Sequence, residues 1–217
     1  VTTNEDTAVA LGFNAPTVSD VTDQNGAGVT GDNPERLSLI SLTGVPRGAI
    51  LQDALGNTLY TIPASGSATV TIRLSDAANL IATPAAATLT MTTAQFEALK
   101  VLPPADLATN FTVTMTVTEY EVDTSGNPLS GVAGANSSTT VAVNVLAVTD
   151  TVDLKINGAD APYDATIAED SSLNLSALLS ATFRDLDGSE GRSIIITNPL
   201  GNGTILVNGV SVIAGAS

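Results

Sequence analysis

The chemistry this chain can offer runs through oxygen. Asp185-Leu-Asp187-Gly-Ser-Glu190 gathers three carboxylates on one turn, and Glu169-Asp170 lies upstream to supply more. A hard cation such as Ca2+ takes about six to eight oxygens at about 2.3–2.6 Å and tolerates irregular geometry, which a loop of this composition provides. The Asp-x-Asp-x-Asp-Gly loop of an EF-hand is absent. An Asp-x-Asp-Gly run alone is also an ordinary solvated turn. Recurrence strengthens the metal reading, because Asp32 and Glu35 stand behind Glu5-Asp6 in the same way, each time just before an apolar strand.

The recurrence has a register. Asp32-Asn-Pro-Glu35-Arg-Leu-Ser38 falls on Asp187-Gly-Ser-Glu190-Gly-Arg-Ser193, and Gly48-Ala-Ile-Leu51 falls on Gly203-Thr-Ile-Leu206 at the same offset. Asp6 to Asp32 spans 26 residues where Asp170 to Asp187 spans 17. The first copy therefore carries an insertion, and insertions of this kind sit in surface loops. The register predicts two units, residues 1–150 and a second copy over 151–217 that lacks counterparts of the later strands. On this reading the chain is part of something longer.

A second set of carboxylates lies on Phe111-Thr-Val-Thr-Met-Thr-Val-Thr-Glu119-Tyr-Glu121. Phe111, Val113, Met115 and Val117 share the inward parity, and Glu119 and Glu121 continue it. Two like charges about 4 Å apart repel by roughly 4 kcal/mol at an effective dielectric near 20. Either a cation offsets that repulsion, or the strand twists at Glu119 and both side chains reach water at the end of the sheet.

Composition narrows the function. Seven basic against 22 acidic side chains give a net charge of −15, which repels nucleic acid and anionic lipid, so neither is an expected partner. With no Cys there is no disulfide framework, and with no His the commonest general base and zinc ligand is missing. There is no Gly-x-Ser-x-Gly elbow and no phosphate-binding glycine loop. Paired carboxylates could hydrolyse glycosides, but aromatics make up only 3% of the chain and Trp is absent, which leaves little platform for a sugar. The expectation is a protein that is not an enzyme. No run reaches the 18 or so apolar residues of a membrane span.

The elements that must position these groups are strands. Val70, Ile72 and Leu74 alternate with Thr69, Thr71 and Arg73, and Val141, Val143 and Val145 alternate with Thr140, Ala142 and Asn144. Turns at Gly44-Val-Pro46-Arg-Gly48, Leu55-Gly-Asn57, Ser125-Gly-Asn-Pro128 and Asn202-Gly203 separate them at sandwich-like spacing. Thr92 to Leu99 reads as one helical turn with an N-cap hydroxyl, stopped before Pro103-Pro104. The linker Val148-Thr-Asp150-Thr-Val-Asp153 has no Gly-Ser run and leaves little slack.

Five pieces taken in order carry a family resemblance: Ala168-Glu-Asp170, Asp185-Leu-Asp187-Gly-Ser-Glu190, the Gly44-to-Ala49 turn, Met91-Thr-Thr-Ala-Gln-Phe-Glu-Ala-Leu-Lys-Val-Leu-Pro-Pro-Ala, and Val-Asn-Val-Leu-Ala-Val-Thr-Asp150. Together they resemble the tandem Ig-like or cadherin-like repeats of giant bacterial RTX adhesins. The resemblance implies an all-β fold of tandem Ig-like β-sandwich domains, the second incomplete. It implies export by type I secretion to the bacterial surface, calcium as the bound ion, and use in attachment or biofilm formation. Its calcium ligands fall at Glu169, Asp170, Asp185, Asp187 and Glu190, at the matching Glu5, Asp6, Asp32 and Glu35, and at the linker residues Asp150 and Asp153. Pro34 replaces the usual Ser in the first copy, and the glycine-rich nonapeptides of such proteins are absent.

The expected function is that of a calcium-stabilised extracellular spacer whose partners are neighbouring repeats of the same chain. The alternative is a module that binds a glycan, a peptide or an ice surface through the expanded Asp20 to Asp32 loop or the outward row Thr112, Thr114, Thr116 and Thr118.

Overall fold

The computed structural model describes residues 1–18, 20, 33–77, 79–82, 86–160, 166–182, 188, 193, 205–207 and 210–212. In chain order the first unit runs Thr2–Asn4 (β1), Val9–Ala10 (β2), Glu35–Leu37 (β3), Ile40–Thr43 (β4), Ile50–Gln52 (β5) and Thr58–Thr61 (β6). It continues with Val70–Leu74 (β7), Leu89–Met91 (β8), the short helix Thr93–Glu97 (α1), Lys100–Leu102 (β9), Phe111–Glu121 (β10) and Ala135–Leu146 (β11).

These strands form two sheets. One has the order β1-β11-β10-β4-β7-β8 with β3 also paired to β10, and the other has the order β2-β9-β5-β6. Alternation decides which side chains lie between them. Ile40, Leu42, Val70, Ile72, Val113 and Val143 of the larger sheet join Leu51 and Val101 of the smaller in one buried cluster. Leu11, Phe13, Phe96 and Leu99 belong to the same cluster. The result is an all-β, sandwich-like unit with an aliphatic core, as the strand alternation implies. The core draws on two of the chain's four Phe residues, Phe13 and Phe96, whose rings stack with centroids 6.4 Å apart.

The sequence locates several elements closely. The strand read from Phe111 to Glu121 is β10, and Val70, Ile72 and Leu74 are buried while Arg73 is exposed on β7. Helix α1 is capped by the expected Thr92, whose hydroxyl accepts from the Gln95 N–H, while the Gln95 side chain accepts from the Thr92 N–H. That reciprocal pair satisfies two of the donors a helix start leaves open. Asp76 adds a third bond by accepting from the Thr93 N–H at 2.7 Å.

Two turns share one construction that sequence reading registers only in part. In Asp53-Ala-Leu-Gly-Asn57 and Asp123-Thr-Ser-Gly-Asn127 the Asp Oδ1 accepts from the backbone N–H two and four residues on. In both, the Asp N–H donates to the Asn carbonyl and the Gly N–H to the Asp carbonyl. The Asn57 side chain and then its N–H hold the Asp53 carboxyl below its ordinary value, and for Asp123 the Asn127 N–H is the leading cause.

Among the described residues of 151–217 there are two antiparallel strand pairs. Asp153–Ile156 (β12) pairs with Leu179–Thr182 (β13), and Ile205–Val207 (β14) pairs with Val210–Val212 (β15). Two local features here fall at positions that the sequence register pairs. β14 starts at Ile205, the counterpart of Ile50 where β5 starts. The turn at Ala168-Glu-Asp170-Ser171 matches Asn4-Glu-Asp6-Thr7: the fourth N–H bonds the first carbonyl, at 3.2 and 3.3 Å, and the Asp has φ of 58° and 54°.

Gly44 permits the closest approach in the turn read as Gly-x-Pro-x-Gly. Its φ is +80°, and a Cβ there would lie 2.1 Å from the Thr112 carbonyl oxygen of β10. At Gly56 φ is +89° but nothing lies within 4 Å of such a Cβ. We therefore expect Gly56→Ala to cost about 1–2 kcal/mol in urea denaturation, the strain of a left-handed backbone alone. Gly44→Ala should cost at least about 3 kcal/mol, because the β4–β10 contact must open. Equal losses would remove the steric role assigned to Gly44.

Candidate metal centre

Strand β1 runs parallel to β11, with Thr2 opposite Asn144 and Asn4 opposite Leu146. Parallel pairing sets the two strands to leave the sheet at the same end. The Asn4-to-Thr7 turn therefore lies beside the segment that leaves β11 toward residue 150. The segment after β9, Pro103-Pro-Ala-Asp106, reaches the same pole, where the Asp106 N–H donates to Asp6 Oδ1 at 3.2 Å. Asp6 and Asp106 both hold left-handed backbones, with φ of 54° and 53°.

Three carboxylates converge there. One oxygen each from Asp6, Asp106 and Asp150 lies within 4.8 Å of the other two. Two oxygens bound to one calcium ion at about 2.3–2.6 Å can be at most about 5 Å apart, so the three fit a shared ion. The donor set is all oxygen and all anionic, which suits a hard cation and would not select a soft one. Asp6 is exposed, while Asp106 and Asp150 are half-buried. Water has access to complete the coordination.

Glu5 sits behind this trio with only 5% of its surface exposed. Its N–H donates to the Leu146 carbonyl at 2.9 Å, and its Oε1 accepts from the Val148 N–H. It is not one of the three converging oxygens.

The second cluster joins residues that the sequence presents as separate. β3 pairs with β10 so that Glu35 stands opposite Glu121 and Leu37 opposite Glu119. Like charges directly opposite across a ladder repel. Burial pushes the Glu35 carboxyl above its ordinary value, and the charge of Glu119, a hydrogen bond with that same side chain, and the charges of Asp20 and Glu121 add to the shift. Asn33, 1% exposed, donates to Glu121 Oε2 at 3.4 Å. The inward alternation of β10 ends at Val117, after which Glu119, Tyr120 and Glu121 are all half-buried. The carboxylates are thus crowded at the end of the strand and only half-buried.

The other expected ligands are distributed as follows. Asp153 begins β12 and lies 3.6 Å from Lys155 Nζ, outside the trio. Glu169 and Asp170 lie exposed on the repeated turn. Asp32, Asp185, Asp187 and Glu190 lie outside the described residues. Asp106 is the member sequence reading missed. It directly follows the Pro-Pro-Ala motif, and no second occurrence of that motif in the chain aligns with it. Among the described residues no helix is long and apolar enough to cross a membrane.

Comparison of the chain with protein-family models, curated proteins and solved structures gave no significant match.

The pKa directions set a pH profile. Glu35 titrates above its ordinary 4.5, so in chelator its contribution to stability grows as the pH falls from neutral through the region just above 4.5, where the fold holds a proton the unfolded chain has released. Asp53, Asp76 and Asp123 titrate below 3.8, so stability falls again as acid protonates them in the fold. Glu35→Gln should erase the rise and leave the acid-side fall, read as urea midpoints across the pH range. Wild-type and Glu35→Gln profiles that run parallel above 4.5 would contradict the crowding at Glu35.

Proposed function

We propose that this chain comprises tandem Ig-like, cadherin-like β-sandwich repeats of a giant bacterial RTX-type adhesin. In this reading it is secreted by the type I route and works at the cell surface as a calcium-stiffened spacer in attachment or biofilm formation. It performs no catalysis. Its direct partners are neighbouring repeats of the same chain.

The observation that carries the reading is the meeting of Asp6, Asp106 and Asp150 where the chain leaves the first unit. Asp6 and Asp106 belong to the body of the unit, whereas Asp150 belongs to the linker. Without an ion the three repel one another, and the linker is pushed from the body. With an ion the same charges become ligands and tie the linker down. The order β1-β11-β10-β4-β7-β8 over β2-β9-β5-β6, with the first strand parallel to the last, supports an Ig-like sandwich. The recurrent turn at residues 4–7 and 168–171 supports serial use of one module.

One observation favours the binding-module alternative. Thr114 of β10 stands opposite Thr140 and Thr43, and Thr116 opposite Ser138 and Ser41, with Thr71 next across from Ser41. These hydroxyls make a polar face several strands wide. Activity on a glycan array or in an ice-growth assay would favour that use over a pure spacer.

Thermal melts in calcium and in chelator test the spacer reading. At about 100 times the dissociation constant the ion should add about 2.7 kcal/mol. For a chain of this size that corresponds to a midpoint rise of about 5–10 °C. Asp106→Asn and Asp150→Asn should each lose most of the rise while melting no lower than the wild type in chelator. A wild-type midpoint that ignores millimolar calcium would end the proposal.

A further inference from the structure

Among the described residues Glu5 is the one buried carboxylate, and it lies one residue from the trio without belonging to it. We infer that Glu5 is a positioning residue for the junction ion, not a ligand to it. This rests on the calcium reading of Asp6, Asp106 and Asp150 above.

The geometry gives the reason. The parallel β1–β11 ladder ends with Asn4 opposite Leu146. Beyond that pair Glu5 adds one backbone rung, its N–H to the Leu146 carbonyl, and one side-chain rung, Val148 N–H to Oε1. The second rung captures the chain two residues before Asp150. Two residues of extended chain reach at most about 7 Å, so fixing Val148 confines Asp150 to a short arc. Glu5 also directly precedes Asp6. A single turn thus carries one ligand and the clamp that delivers another.

The roles of ligand and clamp differ in what they need from the side chain. A ligand acts through its negative charge. A clamp needs only an acceptor for the Val148 N–H at the right reach, which a carboxamide oxygen supplies as well as a carboxylate does. Glu5→Gln should therefore keep the clamp, and Glu5→Ala should break it. Outer groups that orient metal ligands commonly change affinity by about 10–100-fold when removed.

The test uses the whole chain and two readouts. The first is amide hydrogen exchange at Val148 in chelator, which needs no metal. The second is calcium affinity by calorimetry. Glu5→Gln should leave Val148 protected and calcium affinity within about three-fold of wild type. Glu5→Ala should speed Val148 exchange and weaken calcium by about ten-fold or more. If Glu5→Ala does not fold, Glu5→Met, similar in length with no comparable acceptor, makes the same comparison. Calcium weakened equally by Gln and by Ala or Met would make Glu5 a ligand and overturn the inference. So would Val148 exchange unchanged by Ala or Met. If the wild type binds no calcium, the spacer reading fails and takes the ion-positioning role with it, while Val148 exchange still reports whether the clamp exists.

Discussion

Parallel pairing of β1 with β11 is the constraint on which the acidic pole depends. An antiparallel first strand would send the Asn4-to-Thr7 turn to the opposite end of the sheet, far from the departing chain. Because the strands run the same way, the first turn and the linker emerge together, and Asp6 meets Asp150 across 144 positions of sequence. Asp106 joins them because β9 borders β2 in the other sheet and its following loop returns to the same end. The cluster thus gathers residues from both sheets and from the linker. It is a product of topology.

The unit maintains two concentrations of negative charge by different means. At the pole, backbone turns with left-handed Asp residues hold the carboxylates close. At the β3–β10 pairing, ladder hydrogen bonds set Glu35 opposite Glu121, and Glu35 responds by binding its proton more tightly. Leu37, Val117 and Val122 of the same stretch are buried, so separating the strands would expose apolar surface. In both places packing and backbone bonding outweigh side-chain repulsion. Few cations relieve it, since the chain has seven basic residues and the described ion pairs both involve Lys155.

Comparison of the segments that the sequence register pairs separates local from tertiary causes. The Asn4-to-Thr7 and Ala168-to-Ser171 turns agree in hydrogen bonding and in the sign of φ. Their surroundings differ, since Glu5 is buried and Glu169 exposed. The turn is therefore encoded in its own few residues. Burial is not: Leu51 is fully buried, whereas its counterpart Leu206 is 58% exposed. Two leucines paired by the register thus differ in burial.

Sequence alone determined the local features. Period-two alternation located β7, β10 and β11 because a half-buried strand must repeat every two residues. The Thr92 cap and the Gly44 turn were legible because each rests on the bonding or backbone of a few neighbours. The internal register marked Glu5-Asp6 and Glu35 as belonging to one recurring arrangement. Only tertiary structure decided how those residues combine. Glu35 came to face Glu121 through a pairing of β3 with β10 that no local pattern specifies. Asp106 entered the trio, Asp153 took Lys155 instead, and Glu5 turned inward to Val148. Each outcome depends on contacts between residues far apart in sequence. Strand order and direction set such contacts, and the alternation that identifies a strand is indifferent to which neighbour it will have.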